Sequence, residues 1–357
     1  MTEIRMQECA ELDEVDLRLV NALQFAPRAS WTTVGAALGI DPVTAARRWT
    51  RLADSGSAWV TAHPAGPQTA ALIEVECVAG AARTTADALS RRPHVLTVEH
   101  TSGGHGLLLT VSVVDVAALS RLLLDIEELP GIRSTRTHPV IRPYALGGDW
   151  QVRALDGEQR GRLTPPARRG RAPLHPLDDT DRRLLACLFD DGRAPLTDIA
   201  VRLGCSVTTV RRRLTALLGR NALLRCDIAQ PLSGWPISVS VWARVPVDDC
   251  TDVGRRLVAL PETRACLALA GAPANFYHSV WVRSLDDVHR VERTLRHLVP
   301  SLDIQGRTIT LHTVKRMGRI LDDHGRSVEA VPMDIWADPV SAPRGTARPR
   351  TGRHRRP

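Results

Sequence analysis

Long hydrophobic runs are missing from this 357-residue chain. A membrane-spanning helix needs about 20 consecutive apolar residues, and the richest stretch, Gly106 to Leu129, is interrupted by Asp115, Arg121 and Asp125. The opening residues, MTEIRMQECAELDEVD, lack the apolar core of a signal peptide and turn acidic. Both absences point to a cytoplasmic protein with no membrane partner. The seven cysteines are odd in number, scattered and free of any C-x-x-C pair, which excludes a disulfide framework or zinc knuckle as the organising device. No Ser/His/Asp or Cys/His arrangement, phosphate loop or dinucleotide fingerprint occurs. The sequence therefore predicts no enzyme, no cofactor and no metal. Among twelve histidines, His100 and His105 flank one hairpin and His138 sits on a strand nearby. Without an H-x-x-x-H or a carboxylate at ligand spacing they read as solvent-exposed strand-end residues.

Charge is present but uneven. The net charge is +8, yet the segment Ala342–Pro357 holds six arginines and no acid, and Gln151–Pro176 holds six arginines against two acids. The rest of the chain is close to neutral, so a basic isoelectric point alone says little about nucleic acid. The proline- and arginine-rich stretch 146–176 reads as an exposed linker, and 339–357 as a disordered basic tail.

The strongest signal is a repeat. Shifted by 165 positions, Leu12–Leu52 aligns without a gap on Leu177–Leu217, and sixteen of the 41 positions are identical. They include Asp13/Asp178, Asp16/Asp181, Arg28/Arg193, Gly39/Gly204, Arg47/Arg212 and Arg48/Arg213. The chain is a tandem duplication.

Each copy opens on an amphipathic helix of apolar residues at helical spacing (Leu12, Val15, Leu19, Leu23), with Asp13 as a start signal. A short helix follows, ended by Gly39 or Gly204. Asp41 and Ser206 then cap a third helix, 42–53 and 207–218. This is the helix-turn-helix order. Ala45, Trp49 and Leu52, like Val210, Leu214 and Leu217, mark the buried face of the third helix. Its other face carries Thr44, Arg47, Arg48 and Arg51 in the first copy and Ser206, Thr208, Thr209, Arg211, Arg212 and Arg213 in the second. Arginine forks fit guanine edges and phosphates, and threonine fits phosphates and thymine methyls. Double-stranded DNA is the expected partner. Apolar stretches at 57–61 and 222–228 follow, either the strand of a wing or a hinge strand.

The second part of each copy alternates strands and helices. Residues 70–78, 95–101, 107–114 and 132–140 read as strands, with helices at 80–92 and from Asp115 to Leu129. The second copy repeats this at 237–245, 263–270, 276–283 and 303–314, with helices at 248–260 and 285–298. The order is β-α-β-β-α-β, the ferredoxin-like arrangement. The expected fold is α+β: two tandem (winged) helix-turn-helix units, each followed by a ferredoxin-like domain. The boundaries are 12–62, 69–145, 177–230 and 236–321.

The segments LDEVDLRLVNAL…R…LGIDPVTAARR and LDDTDRRLLACL…R…LGCSVTTVRRR, followed by β-α-β-β-α-β, resemble the Lrp/AsnC family of bacterial transcription regulators, in a duplicated form. That resemblance implies α/β domains that pair and bind a small effector, usually an amino acid, beside the loop between the second and third strands. The residues so marked here are Ser102, Gly103, Gly104, His105 and Gly106, and Gly271, Ala272 and Asn275 in the second copy. The family's loop is typically Gly-x-x-Asp. Gly106 and Asn275 stand where its carboxylate would be. The resemblance also implies a pseudo-dimer within the chain and a homo-oligomer.

Two rival functions share this scaffold. Siroheme decarboxylases resemble the architecture and use histidine and arginine in the α/β pocket, to which His100, His105 and Arg133 would correspond. An effector-sensing partner protein without DNA binding is the other. The arginine-rich third helices favour the regulator over both.

Overall fold

The computed structural model describes residues 12–65, 68–163, 177–218, 220–271 and 273–339. The first described elements are α1 (Glu14–Phe25), α2 (Trp31–Leu38) and α3 (Pro42–Asp54). Asp13 caps α1, accepting from the Asp16 amide, and Asp41 caps α3, accepting from the Val43 and Thr44 amides. Gly39 ends α2 at a φ of +68°, a left-handed conformation that costs glycine nothing. Leu19, Leu23, Val34, Ala45, Trp49 and Leu52 close the core between the helices.

The strand after α3, β1 (Ala58–Pro64), is not part of a wing. It pairs antiparallel with its counterpart from the second copy, β6 (Ala222–Ile228), as a separate two-stranded ribbon. Val60 pairs with Cys226 and Thr61 with Arg225. Under the repeat shift Val60 corresponds to Arg225 and Thr61 to Cys226, so the register maps onto itself. A pseudo-twofold axis runs between these pairs. A wing hairpin needs the strand's edge to be satisfied within its own unit; here the other copy satisfies it.

Then come β2 (Thr69–Cys77), α4 (Ala82–Ser90), β3 (Val95–Thr101), β4 (Leu107–Val113), α5 (Val116–Glu127) and β5 (Ile132–Ala145). Asp115 caps α5 as its sequence suggested. The expected last strand ended at 140, but β5 runs five residues further. Its first part pairs with β2 inside the domain, and Val140–Ala145 pairs with a strand of the second copy. Arg142 and Pro143 hide this extension, because alternation breaks where the strand changes partners.

The segment expected to be an exposed linker is anchored up to Leu163. Trp150, Leu155 and Leu163 are buried in the first helix-turn-helix core. Gln24 and Asn21 accept from the Val152 and Leu155 amides, at 2.9 and 3.1 Å. A short helix, α6 (Gly157–Gly161), sits within it. Three apolar side chains spaced among arginines carry no period, so composition concealed their packing. The remaining linker positions, 164–176, and the tail from 340 lie outside the described residues.

The second copy supplies α7 (Asp179–Asp190), α8 (Leu196–Leu203) and α9 (Val207–Leu217), then β6. Its α/β domain is β7 (Ile237–Arg244), α10 (Cys250–Val258), β8 (Thr263–Leu269), β9 (Phe276–Val282), α11 (Asp287–Leu298) and β10 (Asp303–Arg316). Two short strands absent from the expectation, β11 (Arg319–Leu321) and β12 (Ser327–Ala330), extend the sheet beside β10. Met333 and Ile335 beyond them are buried in the second helix-turn-helix core.

Each α/β domain has the strand order last, first, third, second: β5-β2-β4-β3 and β10-β7-β9-β8. The two sheets join at both edges, β5 to β8 and β10 to β3. The eight strands thus form a closed antiparallel ring, which leaves neither sheet with a free edge. Helices α4 and α5 cover the first sheet over Ile73, Leu109 and Val111, and α10 and α11 cover the second over Val241, Phe276 and Val280. A third apolar cluster, Leu72, Leu108, Trp242, Leu267, Leu269 and Tyr277, fills the interior between the sheets. Among the described residues no helix is long and apolar enough to cross a membrane.

Candidate nucleic-acid interface and effector site

The two helix-turn-helix units hold each other by exchanged arginines. Arg28 donates to the carbonyls of Gly192 and Ala194, at 2.6 and 2.9 Å. Arg193 donates to Pro27 and Ala29, also at 2.6 and 2.9 Å. The repeat shift turns each set of partners into the other. Both guanidinium groups are largely enclosed, and burial lowers their pKa, that of Arg193 to about 10. Arg193 also lies over the Trp31 ring, 4.1 Å from its centroid. Together with the β1–β6 ribbon, these contacts fix α3 and α9 relative to one another.

The arginines expected on the outer face of the third helices divide into two groups. Arg48 donates to Asp13 and to buried Asp16, at 2.7 and 2.9 Å, and Arg51 also reaches Asp16, at 2.5 Å. Arg213 donates likewise to Asp178 and buried Asp181, at 2.8 and 2.7 Å. These three tie the third helix to the first, so their guanidinium groups are engaged within the fold. Asp16 and Asp181 are buried, and a buried carboxylate needs a cation. Against the upward push of burial, the hydrogen bonds from Arg48 and the Asp16 amide hold Asp13 below the usual carboxylate range. The L-D-x-x-D signal was thus the partner set of these arginines, and its spacing relative to the third helix could have revealed them.

Arg47, Arg211 and Arg212 are exposed, and their guanidinium groups make no hydrogen bond or ion pair within the described residues. Thr208 is exposed, and Thr44 is partly so, at the start of its helix. Ser206 caps α9 through the Thr209 amide, and its hydroxyl lies 3.0 Å from that of Thr209, so this pair presents one shared hydroxyl edge. The free groups lie at helix N-terminal halves, where amide dipoles also favour phosphate.

The loops expected to hold an effector sit at the two seams of the ring. Ser102 is spent there: its amide donates to the Ile309 carbonyl at 2.8 Å and its hydroxyl accepts from the Ile309 amide at 2.9 Å. Asn275 is spent as well, accepting from the Val245 amide and donating to its carbonyl, at 2.9 and 2.8 Å. Ser102 thus satisfies backbone of the other copy, and Asn275 ties the start of β9 to the residue after β7. Gly103 and Gly106 have positive φ and turn the first hairpin with Gly104 between. Gly271 lies at the second seam, where an added Cβ would stand 3.3 Å from the His138 ring. Ala272 lies outside the described residues.

His105 reaches from the first loop to Glu74 at 3.1 Å, and His138 meets the same carboxylate at 2.7 Å. His138 is not an exposed strand-end residue: it is buried in the ring, its imidazole 4.7 Å from that of the Trp242 indole. Burial pushes Glu74 up, but the His138 hydrogen bond and the nearby His105 outweigh it and hold the carboxyl low. Sequence reasoning missed Glu74 because strand alternation alone does not tell an inward carboxylate from an outward one. Arg133 lies away from these groups, exposed and 3.4 Å from Glu76, and His100 pairs across strands with His312. The histidines and arginine suggested for an enzyme therefore do not converge. Among the described residues no cluster of His, Cys, Asp and Glu has a metal-holding geometry.

An AsnC-type helix-turn-helix domain model matches residues 12–53 and again 177–218, and an Lrp/AsnC ligand binding domain model matches 70–148. The chain carries AsnC-type helix-turn-helix domains and an Lrp/AsnC ligand binding domain. Its helix-turn-helix is present twice. One similar protein is the HTH-type transcriptional regulator LrpA of Mycobacterium tuberculosis, 35% identical over 99 residues, which are 27% of this chain and 65% of that protein. An uncharacterised HTH-type transcriptional regulator of Pyrococcus abyssi is 26% identical over 143 residues, 38% of this chain and 90% of its own length. Such relatives correspond to one of the two units. At the level of fold, the siroheme decarboxylase NirDL superposes with a TM-score of 0.54 and 15% identity, covering 85% of this chain and 93% of its own. That likeness is one of fold and spans both units.

Proposed function

We propose that this protein is a sequence-specific DNA-binding transcription regulator in which one chain does what a dimer of single-unit relatives does. The observation that carries this is the pair of third helices, α3 and α9, held across a pseudo-twofold axis with Arg47, Arg211 and Arg212 unengaged and pointing outward. Free arginines at such positions supply bidentate base and phosphate contacts. The arginines that the fold does use are the ones nearest the first helix, so the free set is not a solvated remainder of one uniform face. A small effector acting at the ring seams, near Gly103, Gly104, His105, Gly106 and Gly271, would reach both units at once, since each loop contacts the other copy. Association of whole chains through the ring is part of this reading.

The test is binding of the full chain to selected and scrambled duplexes at two salt concentrations. The expected outcome is preference for the selected site, with affinity falling steeply as salt rises. Equal affinity for both duplexes, or no binding at low salt, overturns the reading.

A further inference from the structure

Charge is left unpaired where the ribbon meets the ring. Arg264 on β8 and Arg316 on β10 are each only 8% exposed. The Arg264 side chain donates no hydrogen bond among the described residues; its guanidinium lies 3.8 Å from the Trp281 ring centroid and 5.2 Å from that of Trp150. Arg316 lies 5.1 Å from the Trp281 ring. It uses Nη2 on Gln230 and Thr313, at 3.0 and 3.4 Å, and leaves Nη1 without a partner.

Two carboxylates face them. Among the described residues Glu99 on β3 accepts only from the Thr310 hydroxyl, at 3.3 Å. Asp227 on β6 stands 3.5 Å from His63, too far for a good hydrogen bond, and its Oδ2 has no other partner. Both acids are within electrostatic reach of both arginines, yet no ion pair joins any of the four combinations. The backbone of Gly147 closes one side, where a Cβ would sit 3.2 Å from Arg264 Nη2.

Buried charges are costly unless they are paired and hydrogen-bonded. A fold that needed only internal neutrality would bring these groups together. Instead both guanidinium groups lie against the Trp281 indole and keep N–H donors unspent, which a planar carboxylate could take. We propose that this junction is a binding site for a small organic carboxylate, held by Arg264 and Arg316 beside the Trp281 and Trp150 pair, whose rings lie 4.8 Å apart. Unlike the hairpin loops, it touches both the ribbon that ties the helix-turn-helix units and the ring. Burial pushes the Glu99 carboxyl up; where it is ionised it opposes the ligand's charge and weakens its binding.

The experiment is calorimetric titration and thermal unfolding of the full chain with acetate, malonate and L-glutamate, against chloride at equal ionic strength. At least one carboxylate should bind and raise the unfolding temperature where chloride does not. Arg264→Gln and Arg316→Gln should each weaken binding at least tenfold. Glu99→Gln should tighten it severalfold, an effect that a damaged fold does not produce. Absence of binding by all three carboxylates, equal stabilisation by chloride, unchanged affinity in both arginine variants, or weaker binding by Glu99→Gln overturns the proposal. The readout contains no DNA, so its failure and that of the DNA-binding reading are separate results.

Discussion

In the helix-turn-helix halves, Asp13, Asp16, Arg28 and Arg48 each have an identical counterpart 165 positions on, and each counterpart makes the same bond. In the α/β halves, strand register sets Glu74 opposite Trp242 as equivalents, and Leu109 opposite His278. The difference follows from what each residue touches. Arg28 must fit backbone of the other copy, which in turn presents Arg193 to it, so neither end can drift alone. Inside the ring the two copies meet through unlike side chains, as where His138, bonded to Glu74, packs on Trp242, so charge, aromatic bulk and apolar bulk can exchange sides.

The largest expected effect lies on the face that both copies leave free. Arg211→Ala with Arg212→Ala should lower affinity for a selected duplex on the order of a hundredfold, since each lost bidentate base contact costs about 1–3 kcal/mol. Arg47→Ala should act in the same sense through the first unit. A filter-binding series in which these variants match wild type would show that the kept arginines serve only solubility.

The exchanged arginines come next. Arg28→Met with Arg193→Met removes four charged hydrogen bonds to buried carbonyls, and a loss of about 2–4 kcal/mol in unfolding free energy is expected, given their worth of about 1.5–3 kcal/mol singly and their non-additivity. Denaturant unfolding measures it. A change below about 0.5 kcal/mol would mean that the ribbon alone holds the two units together.

The copies should also differ in a smaller, directional way. Asp16 is met by Arg48 and Arg51, and Ala216 stands at the position of Arg51 in the second copy. Arg51→Ala, copying Ala216, should therefore cost at most about 1 kcal/mol, because Arg48 keeps Asp16 paired and Arg51 is half-exposed. A loss above about 2 kcal/mol in melts would contradict Arg48 as the main partner of Asp16.

A pH effect separates the α/β copies. Thr263 gives its hydroxyl proton to the Leu257 carbonyl, so His278 Nε2 must donate to Thr263, and buried Nδ1 has no acceptor to meet among the described residues if it takes a proton. Burial pushes His278 down to about 4. Between about pH 6.5 and 4 the unfolded chain binds a proton that the folded chain refuses, so stability falls as pH falls, by up to about 1.4 kcal/mol per unit. His278→Leu, copying Leu109, should flatten that slope. An unchanged slope in urea titrations across this range would place the sensitivity elsewhere.

Much of this was legible in the sequence. The repeat, the capped third helices and the β-α-β-β-α-β order all follow from local spacing, and Asp13, Asp41, Asp115 and Ser206 cap where they were expected to. What escaped was every contact between the copies. β1 pairs with β6 rather than folding into a wing, and β5 runs on to Ala145 to meet β8. Trp150, Leu155 and Leu163 pack where composition suggested a solvated linker. Local pattern shows which face of an element is apolar and is silent on which partner covers it. For the same reason Arg48, Arg51 and Arg213 read as surface charge, although Asp16 and Asp181, some thirty positions earlier, claim them.

The central claim is that one chain carries two unlike DNA readers fixed across a pseudo-twofold axis. Selection of bound duplexes from a random library by the full chain tests it directly. The N-terminal turns differ, Pro42-Val43-Thr44-Ala45-Ala46 against Val207-Thr208-Thr209-Val210-Arg211, so the selected site should contain two different half-sites about one helical turn apart. Replacing 42–47 by the residues of 207–212 should turn that site into a palindrome. Recovery of no sequence above background, or of a site that the replacement leaves unchanged, would contradict the account.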